Sequence, residues 1–247
     1  MPRDSSASQT PSEETAARFA GKTVLTFDVY GTLIDWERGI CDALGPILRD
    51  RGVTLSEDEM LERYATHEAV LEAGPYLTYR EILEESLGRI AKDLGFTPTE
   101  YELDAFSHSV GDWPAFPDSR AALIALQERF QLAVITNGDD EFFSLSNKHL
   151  RIEFDYVVTA QQARSYKPSL NNFHVLLGRI DAPRPQILHV AQSLYHDHVP
   201  AQALGLQTAW INRRRGKPGF GAVPKAEAVP DPEFDDMKSF AEAILRR

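Results

Sequence analysis

Five short apolar runs, spaced so that helices fit around and between most of them, constrain this chain more than any other feature. They are Thr23–Phe27, Leu132–Thr136, Tyr156–Thr159, Ile187–Val190 and Thr208–Ile211, four of them with clear β-branched content. Each is continuously apolar rather than alternating in polarity, the pattern of parallel strands covered on both faces. Ser119–Arg129 precedes the second run, Glu141–Leu150 follows it, and Leu170–Ile180 leads to the fourth, all with helical periodicity. Strand and helix in alternation predict an α/β fold built on a doubly wound parallel sheet.

One interval breaks the alternation. Roughly a hundred residues separate the first run from the second and contain no strand pattern. Arg38–Asp50, Glu57–Ala73, Tyr79–Leu94 and Glu100–Ser109 each place apolar residues at helical spacing. Arg51-Gly52, Gly74-Pro75 and Phe96-Thr97-Pro98 punctuate them. The stretch from Trp113 to Asp118 holds two prolines and cannot continue a helix. The predicted organisation is a Ser-, Thr- and Glu-rich disordered tail over residues 1–20, an α/β core from residues 21–35 and 115–247, and an all-helical insert over 36–114. Arg213–Pro232 reads as a loop, and a short amphipathic helix at about Met237–Leu245 closes the chain.

Composition narrows the classes of partner. With 43% hydrophobic residues over 247, the core needs neither a disulfide nor a structural metal. The single cysteine, Cys41, lies in a helical run without a clear histidine partner and reads as a small buried apolar residue in a reducing compartment. A net charge of -11 argues against a nucleic-acid partner held through phosphates. No apolar run approaches the ~20 residues of a membrane span, and the N-terminus lacks the apolar centre of a secretory signal. A cytoplasmic protein with no membrane partner is expected.

Ligands of open parallel sheets bind at the carboxyl ends of the strands. The first run delivers Asp28 in Phe27-Asp28-Val29-Tyr30-Gly31-Thr32, and the second ends in Thr136-Asn137-Gly138. Lys167 follows the third in Tyr166-Lys167-Pro168, and Gln192-Ser193-Leu194-Tyr195-His196-Asp197 follows the fourth. Two acids, hydroxyls and an ammonium thus converge on one sheet edge. A carboxylate there can attack an electrophilic carbon or phosphorus. The ammonium keeps it ionised, hydroxyls and loop amides hold an anionic group, and the second acid can hold a metal or draw a proton from water. Taken singly, an Asp after a strand is usually a turn or cap residue. The ordered set is what carries the inference.

These motifs resemble the haloacid dehalogenase superfamily: Asp28 with its Gly-Thr turn, Thr136, Lys167, and an acidic segment ending in Asp197, with the helical insert as the family's cap. The resemblance implies a Rossmann-like core and a covalent aspartyl intermediate. Most members are magnesium-dependent phosphatases with a general acid two residues after the nucleophile. Here that position is Tyr30, and Gln192 stands where a metal-binding Asp is usual. An alkoxide leaving without a proton is a poor leaving group, whereas a halide needs none. Asp-x-Tyr-Gly-Thr and Asn212-Arg213 therefore resemble the type II (S)-2-haloacid dehalogenase branch.

That branch implies attack by Asp28 on the α-carbon of a small anionic 2-haloacid, with water then cleaving the ester to give a 2-hydroxyacid and no cofactor required. Asp28, Lys167 and Asp197 form the implied catalytic set, with Asp197 and Lys167 activating water. Tyr30, Thr32, Thr136, Asn137 and His196 form the implied substrate-binding set, Asn137 cradling the halide. The branch takes a halide-binding Arg from its cap; Tyr64–His67 supplies none, leaving Arg63 or Arg80. Gln192, Leu194, His196 and Phe173 also depart from its pattern. His196 and His198 flank Asp197 as a relay, as metal ligands, or as solvated loop residues. Two further readings stay open: a phosphatase holding Mg2+ through Asp28, the Tyr30 carbonyl and Asp197, and a binding or regulatory member with little turnover. No Gly-x-Gly-x-x-Gly follows any strand. Tyr76, Leu77 and Tyr79 offer apolar surface for a homodimer, or are simply core.

Overall fold

In a computed structural model describing residues 18–217, 221–228, 230 and 232–246, the first apolar run lies at the centre of one sheet. β1 (Val24–Phe27) is buried throughout. The helices α1 (Trp36–Asp50), α2 (Glu57–Glu72), α3 (Tyr79–Asp93) and α4 (Glu100–His108) follow it before the chain returns through α5 (Ser119–Gln127) to β2 (Gln131–Thr136). Then come α6 (Asp140–Leu150), β3 (Tyr156–Thr159), α7 (Ala160–Ala163), α8 (Leu170–Arg179) and β4 (Ile187–Ala191). A π-helical turn (Leu194–His198), α9 (Val199–Ala203), β5 (Gln207–Ile211), β6 (Glu233–Phe234) and α10 (Met237–Leu245) complete the order.

The six strands are parallel and run β3-β2-β1-β4-β5-β6 across the sheet. Side chains alternate faces along a strand. Leu25, Phe27, Leu132 and Val134 accordingly join one apolar cluster, and Val24, Ala133 and Ile135 join a second. Helices cover both faces, which is why the sequence runs are continuously apolar. The order reverses beside β1, so Asp28 emerges at the switch point where such sheets open a crevice.

The helical insert is set by its caps. Ser56/Glu59, Thr78/Glu81 and Thr99/Glu102 form capping boxes that start α2, α3 and α4. Each hydroxyl takes an amide of the first turn while the glutamate returns to the cap amide. Asp35 caps α1, two residues earlier than the apolar periodicity suggests. Gly39 of α1 lies against the Trp113 ring with no room for a Cβ, which brings the insert's first helix tight onto the returning chain.

Two expectations need correction. The tail to residue 20 overlaps the fold at its end, because Phe19 is buried and packs 6.1 Å from Phe240 and 6.4 Å from Phe234; residues 1–17 lie outside the described residues. A sixth, two-residue strand follows the Arg213–Pro232 loop, parts of which (218–220, 229, 231) also lie outside them. Tyr79 is buried, and Tyr76 and Leu77 are half-buried and pack against the apolar core. Tyr79 stacks 6.2 Å from Tyr30, Tyr76 stacks 5.7 Å from Tyr166, and the Tyr166 hydroxyl donates to the Leu77 carbonyl at 2.8 Å. Cys41 is buried, and burial with nearby carboxylates such as Glu57 pushes its thiol up to about 12, as suits a structural residue. Among the described residues no helix is long and apolar enough to cross a membrane.

Candidate active site

Lys167 joins the two acids at the sheet edge. Its ammonium donates to Asp28 Oδ1 at 2.7 Å, to Asp197 Oδ1 at 2.7 Å and to the Ile135 carbonyl at 3.0 Å. An ammonium has three N–H donors, so all are engaged. The group is 1% exposed and Asp28 5%. Burial alone would strip the Lys167 proton, but the two carboxylates outweigh it and its pKa is raised. Burial raises Asp28, against the pull of the Lys167 charge and the Thr32 hydrogen bond. Asp197 suffers the same burial, yet Lys167 and a His189 hydrogen bond hold it well below the usual carboxylate range. Two carboxylates on one cation ionise as a pair, and Asp197, drawn down by both Lys167 and His189, takes the first charge.

Each member of this network has a backbone reason to be there. Gly31, at φ +91°, lets the chain turn immediately after Asp28. The turn returns Thr32, whose hydroxyl donates to Asp28 Oδ2 at 2.6 Å and accepts from the Gln192 amide at 2.9 Å. Thr32 therefore fixes the second Asp28 oxygen from behind. Thr136 is fully buried, accepts from the Gly138 amide at 3.2 Å and does not line the cavity. Asn137 accepts from the Lys167 amide at 2.7 Å and donates to the Lys167 carbonyl at 3.2 Å and to Glu72 Oε1 at 3.0 Å. Thr26 and His189 are register partners on neighbouring strands. The His189 ring sits 2.8 Å from the Thr26 hydroxyl through Nδ1 and 3.1 Å from Asp197 Oδ1 through Nε2. Since Asp197 is ionised and can only accept, Nε2 carries the proton and Nδ1 accepts from Thr26.

The cavity at the nucleophile is small, about 30 Å³ of room for the centre of a water-sized sphere. Asp28, Tyr30, Lys167, Asn137, His196 and Asp197 line it, as do residues that sequence reasoning missed: Trp36, Glu68, Glu72, Tyr79, Ser193 and Val223. Tyr30 contributes its ring; its hydroxyl lies 3.1 Å from that of Ser146. The π-helical turn after β4 brings His196 inward. His196 and His198 are buried, not solvated. His196 places Nδ1 3.2 Å from Ser193 Oγ and Nε2 3.5 Å from Glu72 Oε2. His198 donates to or accepts from its surroundings only through Nε2, 2.9 Å from the Ala191 carbonyl, and burial lowers it to about 4. Neutral Nε2–H donating to that carbonyl makes it a structural residue.

The cap supplies acids, not an arginine. Arg80 turns away to Glu141, 3.1 Å, and His108, 2.6 Å, and Arg63 does not line the cavity. Glu68 and Glu72, one turn apart on α2, do. Tyr64 and Tyr79 both donate to Glu68 Oε1, at 2.9 and 2.8 Å. Burial, reinforced by Glu72, raises Glu68 to about 8, and burial raises Glu72 to about 8 against Asn137 and Lys167. The spacing Leu61, Tyr64, Glu68, Leu71 puts Glu68 on the apolar stripe of the helix, a signal the sequence does carry.

A magnesium ion, which the fold family implies, would find three oxygen donors here: Asp28, the Tyr30 carbonyl and Asp197. Asp197 Oδ2 is buried without a hydrogen-bond partner, an oxygen suited to a hard cation. Among the described residues no group of three or more His, Cys, Asp or Glu side chains is arranged to hold a metal, so the fit rests on these three.

A parallel-sheet core with a lysine-paired aspartate at its switch point, beside a helical insert, is the architecture of a Rossmann-like hydrolase. The chain belongs to the haloacid dehalogenase-like hydrolase family, whose model matches residues 22–195. It is 28% identical over 195 residues to haloacetate dehalogenase H-2 of Moraxella sp. (strain B), spanning 76% of this chain and 85% of that protein. It is 27% identical over 202 residues to the (S)-2-haloacid dehalogenase of Pseudomonas sp. (strain YL), spanning 76% and 82%. The fold is similar to that of the L-2-haloacid dehalogenase of Xanthobacter autotrophicus with chloropropionic acid covalently bound (TM-score 0.75, 17% identity, 90% of this chain and 98% of that one).

Proposed function

We propose that this protein hydrolyses a small 2-haloacid through an ester on Asp28, without a resident cofactor. The observation that carries this reading is the fixing of Asp28 by Lys167 on one oxygen and Thr32 on the other, in the wall of a small cavity. Asp28 displaces halide from the α-carbon, forming a C–O bond as the carbon–halogen bond breaks. Water then attacks the Asp28 carbonyl carbon, with Asp197, held by Lys167 and His189, taking its proton. The 2-hydroxyacid leaves and Asp28 returns as a carboxylate. Because the three donors of Lys167 are engaged, its role is to orient the two acids rather than to bind the substrate carboxylate. Both Asn137 N–H groups are engaged too, so in this arrangement Asn137 does not offer the halide cradle expected of it.

A second reading is favoured by the unpartnered Asp197 Oδ2: Mg2+ held by Asp28, the Tyr30 carbonyl and Asp197 would supply charge neutralisation for phosphoryl transfer. One screen separates the two. Halide release from chloro-, bromo- and fluoroacetate is measured beside phosphate release from a generic ester, each with magnesium and with EDTA. Halide release unaffected by EDTA, together with a mass increment on Asp28 during turnover, is the expected result. Phosphate release that requires magnesium, with no halide released, would replace it.

A further inference from the structure

The position two residues after the nucleophile holds Tyr30, whose hydroxyl is engaged by Ser146 and whose pKa burial raises well above the ordinary tyrosine value. It is no acid at neutral pH. The engaged donors of Lys167 and Asn137 leave the cavity short of groups to meet a departing anion. Yet the same cavity holds two carboxyl groups from the cap, Glu68 and Glu72, with no free cation beside them among its lining residues. Glu72 is held at both oxygens: Oε1 accepts from Asn137 at 3.0 Å, which marks it as the carbonyl-type oxygen, and Oε2 lies 3.5 Å from His196 Nε2. Its side chain is 6% exposed.

We propose that Glu72, carried on the cap helix α2, donates its carboxyl O–H to the leaving group, taking the part that the core position of Tyr30 has lost. The inference rests on attack by Asp28 and adds the leaving-group chemistry. As the Asp28 oxygen bonds to carbon, the electron pair of the breaking bond goes to the departing atom, which the Glu72 Oε2–H meets: fluoride accepts a hydrogen bond from it, whereas an alkoxide-type oxygen takes the proton and leaves Glu72 a carboxylate. Hydrolysis of the ester consumes one water, gives the hydroxyl product and the Asp28 carboxylate, and releases one proton, which in the alkoxide case returns to Glu72 through His196 and Ser193. The assignment selects substrates whose leaving atom is a strong hydrogen-bond acceptor or base: fluoride or an alkoxide-type oxygen in preference to chloride or bromide.

Burial keeps the proton on Glu72 at neutral pH. The titratable groups around it are Glu68 on the same helix, Tyr79 on α3, and Asp28, Lys167, His196 and Asp197 on the core. Among the described lining residues Lys167 is the one permanent cation, and its donors face Asp28, Asp197 and the Ile135 carbonyl. At higher pH Glu72 ionises and the donor is lost.

The test compares fluoroacetate with bromoacetate in the wild type and in Glu72→Gln. The expected result is a fall of about a hundredfold in the ratio of fluoride to bromide release, the ordinary size of a general-acid contribution. In the wild type the same ratio should fall as pH rises through about 8. An unchanged ratio in the variant would overturn the proposal. If neither haloacid is turned over, the dehalogenase reading falls, and the ratio of methyl to 4-nitrophenyl phosphate hydrolysis decides the role of Glu72 by the same comparison. Infrared spectra give a readout that needs no substrate: a protonated-carboxyl band at pH 7 that Glu72→Gln removes supports the assignment, and its absence from the wild type overturns it.

Discussion

Asn137 grips the Lys167 backbone on both sides of its Cα, accepting from its amide at 2.7 Å and donating to its carbonyl at 3.2 Å. The second N–H of the same side chain reaches Glu72 on the cap at 3.0 Å. One amide group therefore fixes the backbone that carries the ammonium and ties the cap to the core. Asn137→Asp keeps the shape but turns both donated bonds into contacts between acceptors. Leaving buried groups unsatisfied costs about 1–3 kcal/mol. The variant should unfold at lower urea concentration and lose turnover by more than tenfold, while Asn137→Gln, which keeps the donor, should lose less. Equal stability of Asn137→Asp and wild type in urea would show that the grip is not made in solution.

The buried Thr26–His189–Asp197 line makes a second prediction. Thr26→Val removes the donor to His189 Nδ1 and should cost about 1 kcal/mol. His189→Phe strands the Thr26 hydroxyl and takes one donor from Asp197, so it should cost more and slow hydrolysis of the Asp28 ester rather than its formation. The double variant should be more stable than His189→Phe alone, because removing both partners of a buried bond leaves no orphan. Denaturation midpoints of the four proteins test the coupling, and single-turnover mass spectrometry tests whether ester accumulates.

Cap acids raised to about 8 make stability depend on pH in a defined direction. Their ordinary value is 4.5. Between these limits the unfolded chain has lost protons that the folded chain keeps, so stability falls as pH rises through the window. Glu68→Gln/Glu72→Gln removes both groups and should be more stable than the wild type at pH 8, with the advantage gone by pH 4. Thermal unfolding across that range checks it. A wild type that gains stability relative to the variant as pH rises would mean that the two acids are ionised and paired in the folded state.

The sheet, its parallel sense and the position of the helical insert were legible because apolar runs and helical periodicity report burial directly. Asp28, Lys167 and Asp197 were legible because strand ends determine where a parallel sheet opens. What escaped depends on contacts across long sequence separations. Glu72 lines the cavity only because α2 folds back over Asn137, 65 residues away. β6 escaped because two residues, Glu233 and Phe234, have no periodicity to read, and register with Trp210 and Ile211 is what makes them a strand. Arg213 looked like a family mark after the last run. It proves to be a clamp, donating to Asp118 at 2.9 and 3.0 Å and to the Thr32 carbonyl at 2.9 Å while lying 4.0 Å over Phe116.

The Arg213 clamp yields a prediction for stability. The pair with Asp118 is mostly buried, and Asp118 also accepts from the Met237 amide at 2.7 Å at the start of α10. Removing one partner of such a pair costs about 3–5 kcal/mol. Arg213→Met should therefore loosen both the turn that carries Thr32 and the C-terminal helix. Hydrogen exchange should show faster exchange in α10 together with weaker protection at Gln192, whose amide donates to Thr32. Unchanged protection at Gln192 would separate the clamp from the nucleophile's support.

Lys167 is the residue on which stability and activity pull together. In Lys167→Met two buried carboxylates, Asp28 and Asp197, lose the cation they share. The folded pKa of both would then rise above the unfolded value, because burial is no longer opposed. The sign follows: the variant is least impaired in acid, where both groups are protonated, and its stability falls as pH rises above the ordinary carboxylate range. At pH 7 the loss should be about 3–5 kcal/mol, with no adduct on Asp28. Adding Asp28→Asn to Lys167→Met removes one of the unpaired charges and should recover part of the stability at pH 7 while leaving the protein inactive. If Lys167→Met is as stable as the wild type at pH 7, the two acids do not share an ammonium, and neither Asp28 nor Asp197 is placed as described.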